Sequence, residues 1–208
     1  MAPSSEMMRP LHEDRHFLIF SKPPGLLSVP GRGEDKQDCL IHRIQCLWPD
    51  ALTVHRLDQV TSGVMVFARS PEIHRALSDA FATRRVQKTY EALVEGELRD
   101  DSGTIDLPLI CDWPNRPRQI VAHAIGKPAQ THWTVLSRHT NHTRVALEPL
   151  TGRTHQLRVH MQALGHPIIG DVFYDALPAP RVMLHARALT FHHPATQEHL
   201  TFQDPTPF

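Results

Sequence analysis

The stretch VHRLDQVTSGVMVFAR, residues 54–69, joins a charged loop to a wholly apolar run. The run from Val64 to Phe67 has no polar side chain, which predicts a strand buried on both faces. Val54 precedes the loop and is expected to belong to the other arm of a hairpin. Arg56 and Asp58 therefore lie at the mouth of a buried hairpin, where an aspartate commonly opens a turn. This stretch alone leaves open whether the Asp58 carboxylate serves the turn or catalysis.

The residues before this hairpin predict one strand, one loop and one helix. HFLIFS, residues 16–21, is a short apolar strand, and KPPGLLSVPGRG after it is a structured loop because its prolines and glycines favour turns. Asp38 is expected to cap a helix that ends before Pro49. Leu47 would share the buried face of that helix with the leucine and isoleucines that precede it.

The residues after the hairpin predict a second helix with strong terminal signals. Ser70 is a good N-cap and Pro71 fits the first helical position, where its missing N–H costs nothing. Apolar residues recur at helical spacing up to Phe81. Arg84 and Arg85 would occupy the last turn, where positive charge is favourable.

Strands dominate the rest of the chain, and together the elements predict an α+β fold on a mixed, largely antiparallel sheet flanked by helices and loops. A third helix is expected to begin at Thr151 or Thr154 and to end at Gly165. A long insertion, residues 111–129, separates two of the strands. Strands are predicted over residues 86–95, 103–109, 130–136, 143–149, 181–194 and 199–205.

Composition limits the classes of function. The chain of 208 residues, 40% hydrophobic and 21% charged, is typical of a globular domain. No apolar segment is long enough to cross a membrane, so we expect a cytoplasmic protein. The three cysteines contain no Cys-x-x-Cys pair and the sixteen histidines follow no metal-binding spacing. We therefore expect no metal site.

Positive charge is concentrated in one segment although the formal net charge is zero. Residues 113–161 contain seven basic side chains and one acidic one, which is a candidate footprint for a polyanion. Arginine outnumbers lysine 18 to 4, and arginine binds phosphates with two N–H groups at once. A codon bias toward arginine is the alternative explanation, and the ratio alone favours it.

Five motifs, in this order, resemble the RluA family of RNA pseudouridine synthases. They are KPPG at 22–25, HRLDQVTSG at 55–63, KTYEA at 88–92, GRTHQLRVHM at 152–161 and LHARAL at 184–189. The resemblance implies a pseudouridine synthase catalytic domain over residues 13–208, preceded by a flexible segment, residues 1–12, with no room for an S4 RNA-binding domain. It also implies an isomerase that converts uridine to pseudouridine in RNA and uses neither a cofactor nor a metal.

The resemblance assigns roles to five residues. Asp58 matches the catalytic aspartate of the family, and Arg158 matches the arginine that partners it. Spacing alone would instead favour a helix-surface arginine at position 158. Tyr90 matches the tyrosine that stacks on the target base, Leu184 an apolar wall of the pocket, and Arg56 the arginine that fills the gap left by the flipped nucleotide.

The expected substrates are RNA loops, because a uridine is flipped out most cheaply where it is not stacked in a duplex. The resemblance implies one uridine in large-subunit ribosomal RNA and one in the anticodon loop of certain tRNAs. Arg116, Arg118 and Lys127 are the expected phosphate contacts, and a monomer is expected. Two alternatives remain from the residues alone: a non-catalytic RNA-binding module on the same scaffold, and a glycoside-type hydrolase that uses Asp58.

Overall fold

A computed structural model describes residues 9–208, and this part of the chain divides into two compact units. The first unit contains residues 9–87 and Ala186–Thr206, and the second contains Lys88–His185 and Pro207–Phe208. The helices are α1 (Leu40–Gln45), α2 (Pro71–Ala82) and α3 (Gln156–Ala163). The strands are β1 (His12–Glu13), β2 (Phe17–Lys22), β3 (Leu52–Thr53), β4 (Ser62–Ala68), β5 (Gln87–Glu95), β6 (Ser102–Asp106), β7 (Leu109–Cys111), β8 (Gln119–Val121), β9 (Gln130–His139), β10 (His142–Pro149), β11 (Leu184–His192) and β12 (His199–Gln203).

The sheet of the first unit is built around β4. Its strand order is β1-β2-β4-β11, with β3 beside β4 and β12 beside β11. Strand β2 pairs antiparallel with β4, so that Phe17 lies opposite Ala68 and Lys22 opposite Gly63. The predicted buried strand is confirmed, since every residue of β4 is buried.

Strand β4 is buried on both sides because apolar side chains of other elements pack against each of its faces. Val64 and Val66 belong to an apolar cluster that includes Ile73 and Leu77 of α2. On the alternate positions, the Phe20 ring contacts Phe67 and also Trp48, just after α1. Successive side chains of a strand point to opposite faces, so an uninterrupted apolar run suits this position.

Helix α2 begins as predicted but ends earlier than predicted. The Ser70 hydroxyl accepts a hydrogen bond from the Ile73 N–H at 3.2 Å, and Pro71 is the first helical residue. The expectation that Arg84 and Arg85 occupy the last turn is wrong. The helix ends at Ala82 because Thr83 closes it with a hydroxyl donated to the Asp79 carbonyl, and Arg84 adopts a left-handed conformation.

Helix α1 also differs from its prediction at both ends. Its N-cap is Cys39 rather than Asp38, whose carboxylate instead forms an ion pair with Arg43 at 2.6 Å. Because the helix stops at Gln45, Leu47 lies beyond it and is 54% exposed instead of buried.

The second unit is an antiparallel sheet in the order β5-β10-β9-β6, with a separate β7-β8 pair. Ala92 and Val94 of β5 and Val145 of β10 are fully buried at its centre. The strand predicted over 103–109 is two strands, β6 and β7, with Pro108, which lacks a backbone donor, between them. The insertion predicted over 111–129 contains β8, which forms a hairpin with β7.

Helix α3 begins without the predicted threonine cap. Its N-cap is His155, in a left-handed conformation, and the Gln156 side chain accepts bonds from the Arg153 N–H and the Thr151 hydroxyl. Six of its eight residues are buried, among them His160, which bonds to the Thr131 hydroxyl and the Leu107 carbonyl. Burial lowers the pKa of His160 below the ordinary histidine value.

These elements confirm the α+β class and the largely antiparallel pairing predicted for the sheet. Most of the segment expected at 1–12 lies outside the described residues, although His12 already pairs with Ile19. A single catalytic domain over 13–208 stays a prediction. Within residues 9–208, no helix is both long and apolar enough to span a bilayer.

Candidate active site

Asp58 lies in the loop between β3 and β4 of the first unit, half-buried beside the exposed Arg56. The Asp58 carbonyl accepts a hydrogen bond from the Thr61 N–H at 3.1 Å, which closes a turn into β4. The turn predicted at this position is therefore present, and it is made by the backbone. The Asp58 side chain is not required for that bond.

The residue before Asp58 is fixed by a reciprocal pair of hydrogen bonds. The Ser28 hydroxyl donates to the Leu57 carbonyl at 2.8 Å and accepts from the Leu57 N–H at 3.0 Å. Both residues are buried. One side of the Asp58 backbone is thereby held against the loop that follows β2.

The residue after Asp58 is held by Lys22, at the end of β2. This lysine is fully buried, and its ammonium group donates to the carbonyls of Pro23, Leu26 and Gln59 at 2.9, 2.7 and 3.1 Å. Gln59 also exchanges two further bonds with Gly25, one to its N–H and one to its carbonyl. The KPPG loop thus fastens the loop that carries Asp58.

Sequence reasoning quoted the KPPG motif but assigned no role to Lys22 or Ser28. The available signal was a lysine directly after an apolar strand, because a buried lysine must find hydrogen-bond acceptors or a negative partner. The sequence could not show which groups accept these hydrogen bonds, because one of them, the Gln59 carbonyl, lies 37 positions further along the chain.

Arg158, in the second unit, is only 5% exposed, so a helix-surface arginine is ruled out. Its Nε and Nη2 atoms donate to the two carboxylate oxygens of Asp171 at 2.6 and 2.8 Å. Its guanidinium carbon lies 4.9 Å from the centre of the Tyr174 ring. A bidentate ion pair and an aromatic face therefore hold this buried cation.

Tyr90 and Leu184 also belong to the second unit. Tyr90 is half-buried on β5, opposite Leu147 of β10. Leu184 is 2% exposed at the start of β11, and its carbonyl accepts a bond from the Arg181 guanidinium. An aromatic ring that is partly accessible can stack on a base, whereas Leu184 can supply apolar contact.

The three expected phosphate contacts lie on or near the β7-β8 hairpin. Arg116 is exposed, and its guanidinium stacks 4.6 Å above the ring of Trp113, which is 64% exposed. Arg118 is half-buried and forms an ion pair with Asp175 at 3.3 Å. Lys127 is exposed and bridges to Leu109 through its backbone. Their roles toward RNA stay predictions.

The predicted site residues fall into two groups. Asp58 and Arg56 share one loop of the first unit, while Tyr90, Arg158 and Leu184 belong to the second. Across residues 9–208, no group of three or more histidine, cysteine or acidic side chains could hold a metal ion.

The comparisons with known proteins decide the family. Residues 16–163 match the profile described as RNA pseudouridylate synthase. The chain is 50% identical to the dual-specificity RNA pseudouridine synthase RluA of Escherichia coli K12, over 95% of this chain and 93% of that protein. It is 52% identical to the protein of that name from Yersinia pestis, over 88% of this chain and 92% of that one.

The chain belongs to the RNA pseudouridylate synthase family. Its fold agrees, since the structure of human RNA pseudouridylate synthase domain containing 1 superposes with a TM-score of 0.82 at 30% identity, covering 100% of this chain and 87% of the other. The synthase is therefore an isomerase that converts uridine to pseudouridine in RNA. The predicted family and reaction are confirmed.

Proposed function

We propose that this synthase isomerises uridines in loops of both large-subunit ribosomal RNA and tRNA, with Asp58 as its catalytic carboxylate. The bacterial relatives are named as dual-specificity enzymes, and the chain spans 93% of the Escherichia coli protein. That coverage and the 50% identity support the same breadth of substrate here. We further propose that it acts as a monomer in the cytoplasm.

The reaction requires one bond to be exchanged for another. The bond from the anomeric carbon to ring N1 breaks, a bond from that carbon to ring C5 forms, the C5 proton is lost and N1 gains a proton. A carboxylate beside the sugar can act as a nucleophile or as a base, and it suits a carbon that develops positive charge. Glycosidases apply the same residue type to a similar centre.

The observation that carries the Asp58 assignment is the anchoring of its loop. Leu57 on one side and Gln59 on the other are hydrogen-bonded to Ser28 and Lys22, while the Asp58 side chain is half-buried. A reacting group must be held close to its productive position before the substrate arrives. If the Asp58 carboxylate served only the turn, the hydrogen bonds that fix Leu57 and Gln59 on either side of it would not be needed.

The other roles follow the motifs. Arg158 orients the Asp58 carboxylate in the reaction, and its burial with a fixed guanidinium plane suits that task. Tyr90 stacks on the flipped uracil, Leu184 packs against it, and the exposed Arg56 replaces the flipped nucleotide in the RNA. Flipping costs a few kcal/mol, which is least in a loop.

Arg116, Arg118 and Lys127 contact the RNA backbone in this proposal. An exposed arginine beside an exposed tryptophan, as Arg116 is beside Trp113, can bind phosphates and stack on bases. The Arg116 guanidinium lies over the Trp113 ring, 4.6 Å from its centre. Binding by such groups weakens as salt increases.

The test is tritium release from two RNAs labelled at uracil C5, an anticodon stem-loop and a large-subunit ribosomal RNA loop. We expect release from both in buffer containing a metal chelator, and none from a fully paired duplex. Release from neither RNA would refute the assigned reaction, and release from only one would refute dual specificity. Mapping pseudouridines in total RNA from cells with and without the protein then identifies the positions.

A further inference from the structure

Asp171 is a deeply buried charged partner of the proposed site residue Arg158. Its side chain is 1% exposed, that of Arg158 is 6% exposed, and two hydrogen bonds of 2.6 and 2.8 Å join them. An ion pair removed from water in this way gains little net stability over apolar residues of the same volume. Its presence therefore suggests a use other than stability.

The backbone around Asp171 allows its carboxylate little freedom. The Asp171 carbonyl accepts bonds from the N–H groups of Tyr174 and Ala176 at 2.9 and 3.2 Å. The preceding Gly170 has a φ of +84°, and a Cβ there would lie 2.0 Å from the Arg181 carbonyl oxygen. Only glycine fits this position, so the direction of the carboxylate is set by the fold.

A second constraint fixes the plane of the guanidinium group. The Tyr174 ring lies 4.9 Å from the guanidinium carbon of Arg158. The Tyr174 hydroxyl is itself held, since it accepts from the Gln119 N–H at 2.9 Å and bonds to the His155 ring at 2.6 Å. Tyr174 thus sets the plane of the group, and Asp171 sets its rotation within that plane.

The fork to Asp171 uses one particular edge of the guanidinium. A guanidinium has five N–H bonds in a fixed planar array, and Nε with one N–H of Nη2 forms one edge. The fork to Asp171 therefore also sets the direction of the remaining N–H bonds, on Nη1 and Nη2. If the group rotated in its plane, the direction of those N–H bonds would change.

We propose that Asp171 is a positioning residue for the reaction, which keeps the guanidinium group of Arg158 in a single orientation. This inference rests on the proposed function of Arg158. It assigns a task to Asp171, which lies outside all five sequence motifs. If Arg158 instead bound an RNA phosphate, losing Asp171 would weaken RNA binding rather than slow the reaction.

The test measures kcat and KM for tritium release by Asp171→Asn, Arg158→Lys and the double variant. Asparagine keeps the size of Asp171 but turns an N–H₂ group toward the guanidinium donors. We expect kcat to fall on the order of 100-fold while KM stays within about threefold, because a misplaced catalytic partner slows the step and not binding. In the Arg158→Lys background, Asp171→Asn should cost no more than about threefold, since lysine cannot use the bidentate fork.

Val145→Ala is the matched control for lost stability, because Val145 is fully buried in the same unit and has no place in the site. Thermal unfolding is followed for every variant, and rates are compared well below each midpoint. A wild-type kcat for Asp171→Asn, a rise in KM alone, or an equal loss in both backgrounds would overturn the inference. A wild-type enzyme that releases no tritium would instead defeat the proposed function.

Discussion

The loop around Asp58 and the environment of Arg158 are held in place by different means. Backbone groups hold the Asp58 loop, through bonds to the Ser28 hydroxyl and the Lys22 ammonium. Side chains hold Arg158, through the Asp171 carboxylate and the Tyr174 ring. The comparison teaches that a loop can be anchored through its backbone, whereas a buried cation needs its own charge matched.

Of the substitutions that compare the two regions, Arg158→Ala is expected to have the largest effect on the reaction rate. We expect tritium release to slow on the order of 100- to 1000-fold, as when a donor is removed from a preorganised site. Stability should also fall, by about 3–5 kcal/mol, because Asp171 is left buried without its partner. Rates at a temperature where the variant is folded, with Arg158→Lys as a milder variant, measure the catalytic part.

Arg43→Ala is the control, since Arg43 forms an ion pair with an exposed aspartate. It should change the rate by no more than about twofold. An Arg158→Ala enzyme as fast as wild type would contradict the role given to this arginine.

Lys22→Met tests whether the buried Lys22 ammonium group anchors the backbone of the Asp58 loop. The carbonyls of Pro23, Leu26 and Gln59 would lose a charged donor, so the free energy of unfolding should fall by about 2–4 kcal/mol. We expect turnover to fall about tenfold as the Asp58 loop loosens. Urea unfolding and tritium release measure the two effects, and the exposed Lys36→Met is the control. Unchanged stability would mean that Lys22 does not anchor the loop.

Arg116→Ala sharpens the contrast between a buried and an exposed arginine. Arg116 is exposed and stacks on the exposed Trp113 ring, so its loss should leave the rate at saturating RNA unchanged and weaken RNA binding. The slope of the logarithm of affinity against the logarithm of salt concentration should become less steep by about one. Binding titrations at several salt concentrations measure this, with the exposed Arg99→Ala as control. An unchanged slope would remove Arg116 from the RNA contacts.

The smallest expected effect concerns His160, a neutral buried neighbour of Arg158 on α3. Because burial lowers its pKa in the folded protein, the unfolded chain takes up a proton first as the pH falls below about 6.5. Stability from this residue is present above that pH and declines below it, by about 1 kcal/mol per pH unit until the folded pKa is reached. Urea unfolding at pH 7 and pH 5.5 should show a smaller decline for His160→Gln, and an equal decline would contradict this account.

The features that sequence predicted well are those that local chemistry determines. Ser70 and Pro71 lie next to the helix they start, and the apolar run in β4 needs only its own residues to indicate burial. The predicted N-cap of α3 was wrong because the Gln156 side chain and a left-handed His155 replace the threonine cap.

Distance along the chain explains what the sequence did not reveal about the site. The motifs identified Asp58 and Arg158, but spacing placed Arg158 on a surface, and only the tertiary structure shows it buried. Asp171 lies 13 residues after Arg158, in a segment without regular periodicity. No local pattern indicates which carboxylate will meet a buried arginine.

The central claim, that Asp58 is the catalytic carboxylate, is tested most directly by single-turnover tritium release with Asp58→Asn in excess over labelled RNA. Asparagine has nearly the same shape, and the backbone bonds of Leu57 and Gln59 do not involve the substituted side chain. We predict no detectable release and RNA binding like that of wild type, while Asp79→Asn on the surface of α2 remains fully active. Release by Asp58→Asn at the wild-type rate would contradict the claim.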